Sequence, residues 1–133
     1  MLTEATARPR CRVLVADDYP GMRVAIRRLL VAHDYEVVGI VEDGGRVLEE
    51  AARLQPDLIL LDLHMPNMNG NGIDVCLKLT RMLPRTRVIV VTAEDPAVRP
   101  AALAAGAFAF IEKRALHTDL LPAIRLACEE PAA

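Results

Sequence analysis

The sequence predicts an α/β fold: a five-stranded parallel sheet with helices on both faces. Three observations lead there. Five short apolar runs recur along the 133 residues, separated by stretches of helical spacing. One run, Leu58-Ile59-Leu60-Leu61, is aliphatic throughout and bounded by turn residues, as expected of a strand buried on both faces. Polar or charged residues close four of the runs: Asp17-Asp18, Asp62, Thr92 and Lys113. A parallel sheet brings such strand ends to one edge, where open α/β folds bind their ligands.

Each element follows from local chemistry. Residues 1–10 are polar and contain Pro9, a flexible N-terminal tail. Arg12 to Ala16 form the first strand. Pro20 suits the first turn of a helix, and Val24, Ile26, Leu29 and Leu30 recur near helical spacing to about Ala32. Tyr35 to Val41 form a β-branched second strand, and Val47, Leu48, Ala51 and Leu54 a helix that closes before Pro56. After the third strand, a loop runs from Met65 to Gly72. Ile73, Val75, Cys76, Leu77 and Leu79 then mark a helix ended by Pro84. Asn71-Gly72 are expected to form a bulged loop outside that helix, because glycine weakens helices and Asn-Gly favours turns.

Val88 to Val91 form the fourth strand, finishing at Thr92. The alanine-rich segment Ala97 to Ala105 is closed by Gly106. Pro100 inside it predicts a helix that is short, starting near Pro100, or kinked there. Phe108 to Ile111 form the fifth strand. Thr118 or Asp119 is expected to N-cap a last helix carrying Leu120, Leu121, Ile124, Leu126 and Ala127. Residues 11–130 thus read as one domain, a flavodoxin-like doubly wound (βα)5 arrangement, with 131–133 frayed.

Composition narrows the function. Hydrophobic residues make up 53% and charged residues 26%, so the chain is globular. A net charge of −2 argues against nucleic acid binding by this domain. Cys11, Cys76 and Cys128 are odd in number, far apart and without metal-ligand spacing, so neither zinc nor a disulfide framework is expected. They read as reduced packing residues of a cytoplasmic protein. The first residues lack the apolar segment of a signal peptide, and no apolar run reaches membrane-spanning length.

The strand ends carry the chemistry. Three carboxylates converging on one edge would repel one another and raise each other's pKa. A hard divalent cation relieves this, and Mg²⁺ prefers a few carboxylates together with waters or phosphate oxygens. The Thr92 hydroxyl and the Lys113 ammonium suit the remaining oxygens of a phosphoryl group. A carboxylate can itself be the nucleophile and form an aspartyl phosphate.

With these residues in place, the stretch from about Arg12 to Glu130 resembles the receiver domain of two-component response regulators. The likeness rests on Asp17-Asp18, on Asp62 followed by Met65-Pro66-x-Met68-x-Gly70, on Val91-Thr92-Ala93, on Gly106-Ala107 and on Phe110-x-x-Lys113. Receivers usually carry proline after the lysine. Arg114 here is similar to receivers of LuxR-type transcription factors.

The resemblance implies a phosphoacceptor switch rather than an enzyme. Asp62 would take a phosphoryl group from a sensor histidine kinase or phosphotransfer protein. Asp18, Asp62 and the backbone carbonyl of His64 would ligate Mg²⁺, with Asp17 acting through a coordinated water. Thr92 and Lys113 would contact the phosphoryl oxygens, with Thr92 and Phe110 as switch residues. The surface of the fourth helix, fifth strand and last helix would meet a downstream output or a second copy of the chain. The His64 side chain reads as a bystander.

Two other readings compete. A haloacid-dehalogenase-like phosphohydrolase also uses a strand-end aspartate and Mg²⁺, but needs a second aspartate two residues on, where His64 stands. An unphosphorylated interaction module on the same fold would not need the acid, threonine and lysine set, and no GxGxxG suggests a dinucleotide.

Overall fold

A computed structural model describes residues 10–68 and 71–129. The strands are β1 (Arg12–Ala16), β2 (Glu36–Val41), β3 (Leu58–Leu61), β4 (Arg87–Thr92) and β5 (Ala109–Glu112). The helices are α1 (Pro20–Ala32), α2 (Val47–Leu54), α3 (Gly72–Met82), α4 (Arg99–Ala104) and α5 (Leu116–Glu129). All strand pairings are parallel, in the order β2-β1-β3-β4-β5. The direction of winding reverses beside β1 and β3, and such a reversal opens a crevice at the strand C-termini.

Alternation along each strand builds two cores. Leu14, Ile59, Leu61, Val88, Val90 and Phe110 face α2, α3 and α4, where Val47, Ala51, Val75, Leu79 and Ala102 meet them. Val13, Val15, Leu58, Leu60, Ile89 and Ile111 face α1 and α5, against Ile26, Leu30, Leu120 and Ile124. All four residues of β3 are buried, because β3 has a neighbour on each side and a helical layer on each face.

Most expected elements stand as read. Tyr19 precedes α1 and Pro20 opens it. Helix α4 is short, six residues, with Pro100 in its first turn, where a missing amide donor costs nothing. It ends at Gly106, whose φ of +101° suits glycine; an added Cβ there would also lie 2.7 Å from Thr80 Oγ1.

Several readings are corrected or lie out of reach. Gly72 belongs to the first turn of α3 rather than to a bulge, and Asn71 serves as its cap, its side chain accepting from the Asp74 amide at 3.0 Å. The turn preference of Asn was real but is spent on capping. Neither Thr118 nor Asp119 caps α5, because the tight turn Lys113–Ala115 runs straight into a helix starting at Leu116. Thr118 instead donates to the Ala115 carbonyl at 3.2 Å. Residues 1–9 of the expected tail, the expected fray at 131–133 and the Asn69-Gly70 part of the loop lie outside the described residues.

The cysteines are the clearest correction. Cys11 and Cys128, expected to be reduced, form a disulfide with a Cα–Cα distance of 5.9 Å, although 117 positions separate them. Spacing along the chain carries no information about this pair. It meets because α5 returns over the face of the sheet where β1 begins. Cys76 alone among the described cysteines is free; it is fully buried, and burial pushes its thiol up to about 11. In the native oxidised protein no thiol should therefore react with iodoacetamide at pH 8 on the timescale that labels an exposed cysteine. One should react after unfolding in denaturant, as counted by mass. Labelling of Cys76 in the native state would contradict this packing.

Candidate functional site

The backbone ladder runs one residue past the strands and seats the acids. The Asp17 amide donates to the Val41 carbonyl at 3.0 Å and the Asp62 amide to the Ala16 carbonyl at 2.9 Å. Asp17 and Asp62 are thus locked side by side on β1 and β3, only 2% and 4% exposed, and Asp18 next to them is exposed. Each of the three offers a carboxylate oxygen within 4.8 Å of the others. Among the described residues no other group of this kind occurs.

Three donors surround the Asp62 carboxylate. The His64 amide reaches Oδ1 at 3.1 Å, Thr92 Oγ1 donates to Oδ1 at 3.2 Å, and Lys113 Nζ donates to Oδ2 at 3.0 Å. Thr92 is fully buried and its hydroxyl accepts from the Glu94 amide at 3.2 Å, which points its proton at Asp62. Lys113 also lies 2.9 Å from Asp17 Oδ2. The amide of Tyr19 holds the other Asp17 oxygen at 2.8 Å.

The electrostatics are unbalanced. Burial is the largest influence on Asp17 and raises its pKa; the Tyr19 amide and Lys113 pull it down without cancelling that, and Asp62 adds to the rise. For Lys113 burial works against the charge, but the hydrogen bonds and charges of Asp17 and Asp62 outweigh it, and its pKa is raised. One ammonium thus faces three carboxylates. This donor set, all oxygen and net negative, fits a hard divalent cation.

Loops around the site are tied together. Gly44 N donates to the Pro66 carbonyl at 2.7 Å and Asn67 Nδ2 to Asp43 at 2.8 Å, joining the β2–α2 and β3–α3 loops. His64 Nε2 meets the Glu94 carboxylate, joining β3–α3 to β4–α4. The His64 side chain, read from the sequence as a bystander, thus has a carboxylate partner; the residues are thirty positions apart and only the shared sheet edge brings them together. A cleft lined by Thr92, Glu94, Pro96 and Lys113 opens beside the site. Arg114 lines the same cleft and pairs with Glu112 at 2.9 Å. Phe110 stands apart from the acids, 4% exposed, in the core facing α3 and α4.

The arrangement brings Asp17, Asp18, Asp62, Thr92 and Lys113 together as their positions at strand ends required. It can hold a cation, present one carboxylate to an electrophile and neutralise oxygens around it.

Known proteins share this plan. Residues 13–125 match the family model described as the response regulator receiver domain. The response regulator GacA of Pseudomonas viridiflava is 38% identical over 118 residues, covering 86% of this chain and 54% of that protein. The response regulator domain of Thermotoga maritima CheB superposes with a TM-score of 0.80 at 35% identity, covering 92% of this chain and 98% of that one. RcsB of Salmonella enterica, solved bound to the rprA promoter with a phosphomimetic, superposes with a TM-score of 0.78 at 29% identity over 87% of this chain and 66% of that one. The chain spans about half the length of curated relatives such as GacA.

Proposed function

The chain belongs to the response regulator receiver domain family, and from that premise we propose that Asp62 is its phosphoacceptor, served by Asp17, Asp18, Thr92 and Lys113. The observation that carries the proposal is the ring of donors on a buried Asp62: the His64 amide, the Thr92 hydroxyl and the Lys113 ammonium. These groups now stabilise the carboxylate, and the same donors can follow the negative charge outward onto phosphoryl oxygens. In the reaction an Asp62 oxygen attacks phosphorus, an Asp62–O–P bond forms, and the bond to the donor breaks with its electron pair leaving on the donor. Asp17, Asp18, Asp62 and the His64 carbonyl would hold Mg²⁺, which supplies charge neutralisation at the phosphoryl oxygens. No second acid stands at position 64, so hydrolysis of phosphate esters has no general acid of the dehalogenase kind, and the domain is proposed to turn over only its own phosphoryl group.

Intact mass after incubation with acetyl phosphate and Mg²⁺ should show one added phosphoryl group, absent in Asp62→Asn. Equal labelling of that variant would sink the assignment. Millimolar Mg²⁺ should also raise the melting temperature, since a ligand at a hundred times its Kd adds about 2.7 kcal/mol. Asp18→Ala, an exposed position, should remove most of that shift. A melting temperature indifferent to Mg²⁺ would refute the cation site.

Thr92 and Phe110 are proposed to carry the signal outward through α4, β5 and α5. Helix α4 buries only Ala102, so little apolar area holds it. The acceptor's donors are proposed to be a sensor histidine kinase or phosphotransfer protein in the cytoplasm. Among the described residues no helix is long and apolar enough to cross a membrane. The downstream partner is proposed to be an output domain, of the DNA-binding kind that RcsB uses at its promoter, or a second copy of the chain.

A further inference from the structure

We propose that Cys11 and Cys128 are a reversible dithiol–disulfide couple, a modification site that ties the last turn of α5 to the start of β1 at the sheet edge opposite Asp62. The fold, not the bridge, holds both cysteines in place. The Cys11 carbonyl accepts from the Glu36 amide at 3.0 Å, and the next residue, Arg12, donates its amide to Asp57 at 2.9 Å and its guanidinium to the Leu54 and Gln55 carbonyls at 2.9 and 2.8 Å. Cys128 is carried by α5, which is anchored by buried Leu120, Ile124 and Ala127. The dithiol form thus keeps the two Cα atoms near their 5.9 Å separation, inside the usual disulfide range. Closure and opening need no rearrangement of the core.

Access differs from that of the third cysteine. Cys11 and Cys128 are only partly buried at the margin of their core, whereas Cys76 is sealed. A low-molecular-weight disulfide is the reagent class that fits. One cysteine thiolate attacks a sulfur of that reagent, its S–S bond breaks, and one small thiolate leaves with the electron pair. The second cysteine thiolate then attacks the mixed disulfide and expels the other small thiolate. Two protein thiols are oxidised, one small disulfide is reduced to two small thiols, and the two protons given up by the protein thiols are taken up by the departing thiolates. A small dithiol runs the sequence backwards.

Placement gives the couple something to control. Helix α5 begins three residues after Lys113 and carries Cys128 one residue before its last. One end of the helix thus starts at the acidic site and the other is fastened by the bridge. Opening the bridge leaves the last turn seated but free to open more often, beyond Pro122, which removes one helical hydrogen bond near the middle of α5. The couple itself does not depend on the phosphoacceptor reading.

The test uses the full chain in its native state, equilibrated with oxidised glutathione or with dithiothreitol, then acid-quenched, denatured and labelled with maleimide. One labelled cysteine is expected after glutathione and three after dithiothreitol. Hydrogen exchange should be about tenfold faster or more in residues 123–129 of the reduced form, with α2 unchanged. Cys11→Ser should show the fast exchange in both buffers, and Asp62→Asn should behave as the unaltered chain, which separates this proposal from the phosphoacceptor reading. Three labelled thiols after glutathione would overturn the proposal. So would a bridge that yields to dithiothreitol only in denaturant, or α5 exchange that is equal in the two forms.

Discussion

Replacing Lys113 by methionine should cost the metal-free protein about 3–5 kcal/mol at neutral pH, the range for stripping the partner from a buried charge. Its side chain spans Asp17 and Asp62 at 2.9 and 3.0 Å, and those carboxylates are almost wholly buried. Methionine keeps the bulk but leaves both acids facing each other without a cation. The cost has a pH signature. In the unaltered protein the Lys113 pKa is raised, so its contribution is fully present below the ordinary lysine value and is lost as pH rises through the raised one. In Lys113→Met, Asp17 keeps the burial that raises its pKa and loses the ammonium that pulled it down. The added cost is then present at neutral pH and fades as pH falls and Asp17 protonates. Urea unfolding at pH 7 and near pH 4, without divalent ions, reads both. Saturating Mg²⁺ should recover part of the loss at pH 7. A variant as stable as the parent at pH 7 would show that the acids do not need the ammonium.

Gly72→Val should cost about 3 kcal/mol, the upper part of the usual range for overpacking, and should loosen the acidic site as well. A Cβ at position 72 would lie 2.5 Å from Leu63 Cα and 2.6 Å from the Leu63 carbonyl oxygen. Both are backbone atoms, so relief requires moving the β3–α3 loop or the first turn of α3. That loop carries the His64 amide, one of the three donors on Asp62. The expected result is a lower urea midpoint together with weaker Mg²⁺ stabilisation. Gly45→Ala serves as the control on a neighbouring loop, since its Cβ would meet nothing nearer than 3.1 Å. Unaltered Mg²⁺ response in Gly72→Val would separate the loop's position from the site.

Local chemistry along the chain accounts for the sheet, the helices and the polar strand ends. Those features are written locally: β3 is a continuous aliphatic run because it is covered on both faces, and Asp62 ends it because the next residue leaves the sheet. Parallel pairing then leaves no choice but one edge for Asp17, Asp62, Thr92 and Lys113. Pro100 likewise signalled locally a short or a kinked α4, and the chain takes the short form with Pro100 in its first turn. What the local signals left open was decided by packing between distant segments. Gly72 enters α3 because Leu63 leaves no room for a side chain, and Asn71 is drawn into capping by the amide that this start exposes. His64 finds Glu94 only when two loops meet over the site. Cys11 and Cys128 find each other only when α5 folds back over the sheet beside β1. Periodicity reports which face a residue shows, whereas contact between segments a hundred residues apart depends on how complete elements stack.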